Sequence, residues 1–287
     1  MARRPTSDLL LGGASAACMA LALCGLFAML WMLASQSAGL FSAAFFLEPN
    51  RGDGTVGGVR YQLLGTLILT LVSTLTAATL ALGAAIGMMF YVRITALRNG
   101  LANFALSMGA MPGIVWGILG VLVLGDKLGL GKSWSTGASV LALMICPTIL
   151  FATLLGIRSV SRDTLDAARA LGLSRETIIW QLIIPRCRRH IVSGTLLSVA
   201  RAAGETSAVM MTAAVFSGAT VPTGLRNDPV ATLSYHIFVL TQDHANALAQ
   251  AFAWSTVSVV LCINLAFVGI GSYLRIWSPP ADDDRNN

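Results

Sequence analysis

Charge is what this chain has least of. Asp, Glu, Lys and Arg make up 11% of its 287 residues, against about 25% in ordinary soluble domains, and the mean hydropathy is +0.74. So little charge cannot solvate a water-soluble domain of this size, and the composition is that of a membrane protein. The cysteines exclude more. Cys18, Cys24, Cys146, Cys187 and Cys262 are scattered, and all but Cys187 lie in apolar runs without paired metal-ligand spacing. They read as small buried hydrophobes, with no disulfide and no metal site expected. No metal cluster, pair of carboxylates or nucleophile set beside a base lies inside an apolar run, so an intramembrane enzyme using Glu205 as a general base would lack the rest of its machinery. Gly131-Lys132-Ser133 resembles the end of a nucleotide-binding loop, but Asp126 stands where the pattern G-x-x-x-x-G-K-[ST] requires glycine. The chain is expected to bind no ATP in that manner and to need no cofactor.

What is present is a series of long apolar runs. A basic start of residues 1–8 precedes a run at 9–34, longer than the 7–15 residues of a cleavable signal core. Five more runs, at about 63–92, 101–125, 137–157, 191–216 and 247–276, fill a core of residues 63–276, with a basic loop at 158–190 and a polar tail at 277–287. Each run is long enough to cross a bilayer of about 30 Å, which predicts an all-α membrane protein of six transmembrane helices. With the N-terminus inside, the inner loops and ends hold thirteen Lys and Arg against five outside. That bias places both termini and the central loop in the cytoplasm. It also accounts for the net charge of +6 without nucleic acid. Trp31 and Trp277 fall near span ends, where interfacial indoles belong.

Glycine and proline punctuate the runs. Gly83 and Gly87 form a small-xxx-small pair, while Pro112-Gly113 and Pro147 are candidates for close packing or for bends that open a pathway. The polar stretch after Phe216 is expected to form a short re-entrant or surface helix, with His236 and His244 solvated.

Two polar features stand apart. In the central loop, Asp163 is expected to cap a helix that Gly172 ends in a left-handed conformation, with Arg169 in its last turn. Ser174 would cap a second helix that Pro185 stops. Leu165, Ala168 and Leu171 share one face at helical spacing. That face suits a groove on another protein, its own bundle, or anionic lipid through the arginines. Within the fifth run, Arg201 and Glu205 are the only ionisable residues well inside any span. Charges there are costly and mark function or a compensating pair. At i, i+4 the two can bond each other, locking the bundle. Alternatively Arg201 faces an aqueous route and binds passing anions while Glu205 holds its guanidinium. Thr206 and Ser207 offer hydroxyls nearby, and Gly204 leaves room for another backbone.

These residues resemble a known family. DAARALGLSRETIIWQLIIP is similar to the loop E-A-A-x(3)-G-x(9)-I-x-L-P of bacterial ATP-binding-cassette importer permeases, through Asp166, Ala167, Ala168, Gly172 and Pro185. Asp166 replaces Glu, and Leu182 and Ile184 stand where the pattern has Ile and Leu. The resemblance implies a type I importer permease fold, with this loop acting as the coupling helix that docks on a cytoplasmic ATPase. ARAAGETSAVMMTAA, from Ala200, resembles the ARAxGET string of the phosphate importer's membrane subunits, and ALSMGAMPGIVWGILG, from Ala105, agrees loosely with their A-type member. That implies a non-catalytic subunit of a bacterial inner-membrane phosphate importer. Its expected partners are a homologous permease subunit, two cytoplasmic ATPase subunits, an extracytoplasmic phosphate-binding protein and membrane lipid. The same architecture also serves sulfate, molybdate and unrelated solutes.

Overall fold

The computed structural model describes residues 5–37, 41–51, 54–216, 221–243 and 245–276. Long apolar runs become long helices because a bilayer offers no partner for backbone N–H and C=O groups outside the helix itself. The first helix, α1 (Pro5–Ser37), packs against the last and otherwise presents apolar side chains outward, including Leu21, Phe27 and Trp31 at 77%, 69% and 69% exposure. A short α2 (Ala43–Leu47) and a two-stranded antiparallel ribbon, β1 (Asn50–Arg51) with β2 (Val56–Gly57), lead into α3 (Arg60–Ile86). A π-helical turn, Gly87–Tyr91, extends α3 to 32 residues.

The third run differs from the expected single span. It divides into α4 (Thr95–Ala110) and α5 (Gly113–Leu119), the latter continued as a π-helix to Lys127, and the two parts meet at 102°. At 1.5 Å per residue the 16 residues of α4 reach about 24 Å, short of the hydrocarbon core. Met111 and Pro112 cause the turn: both take extended conformations (ψ 134° and 143°), and proline disfavours a helical residue before it. Pro147, the other candidate bend, leaves α6 (Trp134–Arg158) one uninterrupted helix. It is buried there, beside Gly109 of α4.

Helix α6 is the core. It packs against α3, α4 and α9 (Ile184–Ala203), with Leu141, Met144, Ile145 and Ile149 at 1% exposure or less. A side chain at Gly194 of α9 would overlap Ala152 of α6, so this contact is as close as backbones allow. The Gly83 and Gly87 pair behaves otherwise: a methyl group on either would meet nothing within 4 Å, so it is no packing motif inside this chain. The cysteines invert their expected roles. Cys187, outside the apolar runs, is fully buried, whereas Cys18, Cys24 and Cys262 are exposed on apolar helix surfaces.

After α6 come α7 (Arg162–Ala170), α8 (Arg175–Thr177) and a π-helical segment, Ile178–Ile183, that runs directly into α9. Pro185 therefore does not stop a helix; it sits in the first turn of α9. The wider π-turn before it absorbs the hydrogen bond that a proline cannot donate. The chain closes with α10 (Ser207–Thr212), α11 (Leu233–Leu240) and α12 (Ala247–Ile276). Among the described residues four helices are long and apolar enough to span a membrane, or five if the bent α4–α5 pair counts as one. The run expected at 191–216 is not a single span, because its helix ends at Ala203 and a second begins at Ser207. Trp277, His244 and the ends 1–4 and 277–287 lie outside the described residues.

Candidate functional site

The two breaks in the apolar helices meet. A methyl group on Gly113, the first residue of α5, would overlap the Glu205 carboxylate and lie 2.6 Å from Ser207 Oγ. One turn on, at Gly117, it would lie 3.0 Å from Met211 Sδ and 3.2 Å from Ala208 Cα. At Gly120 it would press on Thr212 and Val140. Gly113, Gly117 and Gly120 thus form a flat seam against which α10 lies.

Glu205 belongs to this crossing. Its Oε1 accepts hydrogen bonds from Ser207 Oγ (2.7 Å) and from the backbone N–H of Ala208 (3.2 Å), capping α10. Thr206 holds the formal cap position but makes no side-chain cap bond. The carboxylate that was expected to hold Arg201 is occupied elsewhere, and no hydrogen bond or ion pair joins the two among the described residues. The reason is local: α9 ends at Ala203, so the helical i, i+4 geometry is lost before Glu205 is reached. Arg201 remains in the last turn of α9, where the helix dipole favours a cation, and is exposed on the surface of the chain. Gly204 admits a side chain rather than a backbone: Asn264 Nδ2 of α12 lies 3.3 Å from where its Cβ would be.

Behind Glu205 is a seam of hydroxyls that the sequence reading missed. Thr66 and Thr70 of α3, with Thr232 and Ser234 at the start of α11, line a hollow of about 10 Å³, room for one water at most. Thr66 Oγ1 accepts from the N–H of Leu233 (2.9 Å), and Ser234 Oγ donates to the carbonyl of Ala203 (3.2 Å). Polar residues recurring at three- and four-residue spacing in an apolar run (Thr66, Thr70, Ser73, Thr74) were the available signal.

At the basic end of the molecule the loop follows local rules with two corrections. Ser161, not Asp163, caps α7, accepting from the N–H of Thr164 at 3.3 Å, which leaves Asp163 in the first turn. Gly172 has φ 72°. Its N–H donates to Arg169 and that of Leu173 to Ala168, completing the left-handed termination. Ser174 caps α8 through the N–H of Thr177, as expected. The shared face divides: Ala168 is buried and Leu165 half-buried against the bundle, while Leu171 lies beyond the helix at 79% exposure. Asp166 and Ala167 point outward, and Asp166 pairs with Arg169 at 2.9 Å. Trp180, 62% exposed, is a second outward apolar group that periodicity did not flag. Arg175 lies over the Tyr91 ring, 5.2 Å from its centre, joining the loop to the end of α3.

The opposite end holds the remaining correction. His236 is not solvated: it is 1% exposed, stacked 5.6 Å from Phe216, and its Nδ1 accepts from the Asn50 amide at 3.4 Å. Burial lowers its pKa to about 4. Ser133 of the decoy loop caps α6, and Lys132 lies 5.9 Å from the Tyr235 ring centre.

Comparison with known proteins decides the family. The model of binding-protein-dependent transport system inner membrane components matches residues 79–275. The chain belongs to that family. It is 28% identical over 274 residues to the phosphate transport system permease protein PstA 2 of Mycobacterium bovis, covering 93% of this chain and 88% of the relative. It is also 28% identical over 291 residues to the probable ABC transporter permease protein YqgI of Bacillus subtilis, covering 96% and 98%. Among solved structures, an inward-facing form of the MetNI methionine ABC transporter shares the fold, with TM-score 0.57 over 75% of this chain and 97% of that one. At 15% identity that likeness concerns the fold alone. The matched segment contains both helix breaks, the seam of Gly113, Gly117 and Gly120 and the basic loop, so the crossing at Glu205 belongs to an ABC importer permease.

Proposed function

We propose that the chain is a permease subunit of an ATP-driven importer of inorganic phosphate, embedded in a bacterial inner membrane with both termini and the basic loop in the cytoplasm. The observation that carries the mechanism is the meeting of the two broken helices at Gly113 and Glu205. On its cytoplasmic side that junction continues as an almost unbroken helical rod, from Arg175 through the π-turn to Ala203.

The rod joins two kinds of chemistry. At one end, Asp166, Ala167, Gly172 and the outward Leu171 and Trp180 form a surface for a cytoplasmic ATPase subunit, and Pro185 lies where that surface enters α9. At the other end, Arg201 projects from the last turn of α9 toward the translocation route shared with a homologous permease subunit. ATP-driven closure of the ATPase pair tilts the rod, and the short α10, held by Glu205 against the α5 glycines, moves with it. Pro112 and Gly113 supply the bend against which this motion works, while Thr206 leaves its hydroxyl available beside the route. The guanidinium forms charge-assisted bonds to oxyanions, and its lack of a fixed carboxylate partner keeps it available to them. Selectivity then rests chiefly with an extracytoplasmic phosphate-binding protein, which releases its bound anion into this path. The names of the relatives support phosphate as the cargo.

The test is uptake of radiolabelled phosphate into proteoliposomes containing the complete complex, its binding protein and ATP, with excess sulfate or molybdate as competitor. The reading requires ATP-dependent uptake that unlabelled phosphate suppresses and the other oxyanions do not. Uptake unaffected by excess phosphate would remove phosphate as the cargo.

A further inference from the structure

Where α3 and α6 end and α4 begins, beside the basic loop, four arginines line one groove. Arg98, Arg158, Arg162 and Arg169, with Met89 and Phe90 on its floor, enclose about 520 Å³. Asp166 neutralises Arg169, but no carboxylate lies within salt-bridge distance of Arg98, Arg158 or Arg162 among the described residues. Three arginines lining one hollow without a carboxylate partner suit an anion.

A second hollow identifies the anion's other half. Between the same three segments is an almost wholly apolar groove of about 340 Å³, lined by Gly87, Leu101, Ala105, Met108, Pro147 and Leu150. Along α4 the two hollows share a face. Arg98 belongs to the basic one, while Leu101, Ala105 and Met108 follow at three- and four-residue spacing in the apolar one. The ten residues from Arg98 to Met108 rise about 15 Å, half the thickness of the hydrocarbon core. On α6 the order is the same, with Ile157 and Arg158 in the basic hollow and Leu150 and Pro147 deeper.

We infer that this cleft binds one anionic phospholipid of the inner leaflet, its headgroup phosphate on Arg98, Arg158 and Arg162 and one acyl chain along the α4 face. A free anion would gain nothing from the apolar groove, and a zwitterionic lipid, whose choline offsets its phosphate, would gain less from the arginines. The headgroup would sit against α7, because Arg162 and Leu165 come from that helix. The ATPase-docking loop would then rest partly on lipid.

The intact complex is delipidated and titrated by native mass spectrometry with phosphatidylglycerol, phosphatidylcholine, soluble glycerophosphate or inorganic phosphate. Phosphatidylglycerol should bind at least tenfold more tightly than phosphatidylcholine. Each Arg→Gln change among Arg98, Arg158 and Arg162 should weaken it roughly fivefold, the worth of one basic residue at an anionic surface. Gly87→Leu enters open space, since nothing lies within 4 Å of a Cβ there. It should weaken phosphatidylglycerol while leaving glycerophosphate binding unchanged. Equal binding of the two lipids, or of inorganic phosphate and phosphatidylglycerol, would overturn the proposal. So would cross-linking that places an acidic ATPase segment, rather than lipid, on the three arginines.

Discussion

The two ends of the helical rod from Arg175 to Ala203 are stabilised by opposite means. At its basic end almost every stabilising contact is short in sequence: Ser161 to Thr164, Gly172 to Arg169, Ser174 to Thr177, Asp166 to Arg169. At its other end they are long: Gly113 against Glu205, Thr66 to Leu233, Ser234 to Ala203. The first kind makes a surface that keeps its shape while its outer face stays free for a partner. The second ties four parts of the chain into one junction, so movement of the rod cannot leave the rest undisturbed.

If that contrast is right, the largest effect should come from the junction. Gly113→Val drives a branched side chain into the Glu205 carboxylate and Ser207. Overpacking of that kind costs about 1–3 kcal/mol, and the variant should lose transport and release α10. Protease accessibility of the segment after Thr212 checks this, and wild-type uptake by a well-assembled Gly113→Val complex would contradict the close contact.

Next comes His236, buried and stacked on Phe216. Its folded pKa of about 4 lies below the unfolded value of about 6.5. The unfolded chain therefore binds the proton first, and stability is lost as pH falls from about 6.5 towards 4. The full loss approaches roughly 3 kcal/mol, from two and a half units at 1.36 kcal/mol each. Melting temperatures at pH 7.5 and 5.0 should differ in the wild type, with the gap narrowed in His236→Gln.

At the basic end the effects should be smaller and mainly functional. Gly172→Val forces a branched residue to φ 72°, costing about 1–2 kcal/mol locally. It should uncouple ATP hydrolysis from uptake rather than unfold the bundle, and full coupling in that variant would sink the docking role. Ser161→Ala removes a cap worth about 1 kcal/mol, visible as faster amide exchange in α7. Asp166→Asn should cost only a few tenths of a kcal/mol, since both partners of its ion pair are about two-thirds exposed.

The same contrast explains what could be read in advance. Helical content, the basic loop with its two short helices and its Gly172 termination follow from composition and from contacts within six residues, which a linear string displays. Even there Pro185 misled, because a π-turn allows a helix to pass through a proline. The junction could not be read this way. Glu205 stood four residues from Arg201 and invited pairing, yet the end of α9 at Ala203 turns it to Ser207 and Ala208, and the Gly113 it packs against stands more than ninety residues earlier. The same holds for His236: the apolar run LSYHIFVL around it signalled burial, but its stacking on Phe216 and its bond to Asn50 come from segments distant in sequence.

The central claim is that Arg201, exposed at the end of the rod and unpaired by Glu205, meets the anion in transit. It is tested most directly by measuring phosphate uptake and ATP hydrolysis together in proteoliposomes carrying Arg201→Gln. The account predicts an assembled complex that still hydrolyses ATP when stimulated by its binding protein but takes up phosphate at least tenfold more slowly. Undiminished uptake by that variant would contradict it.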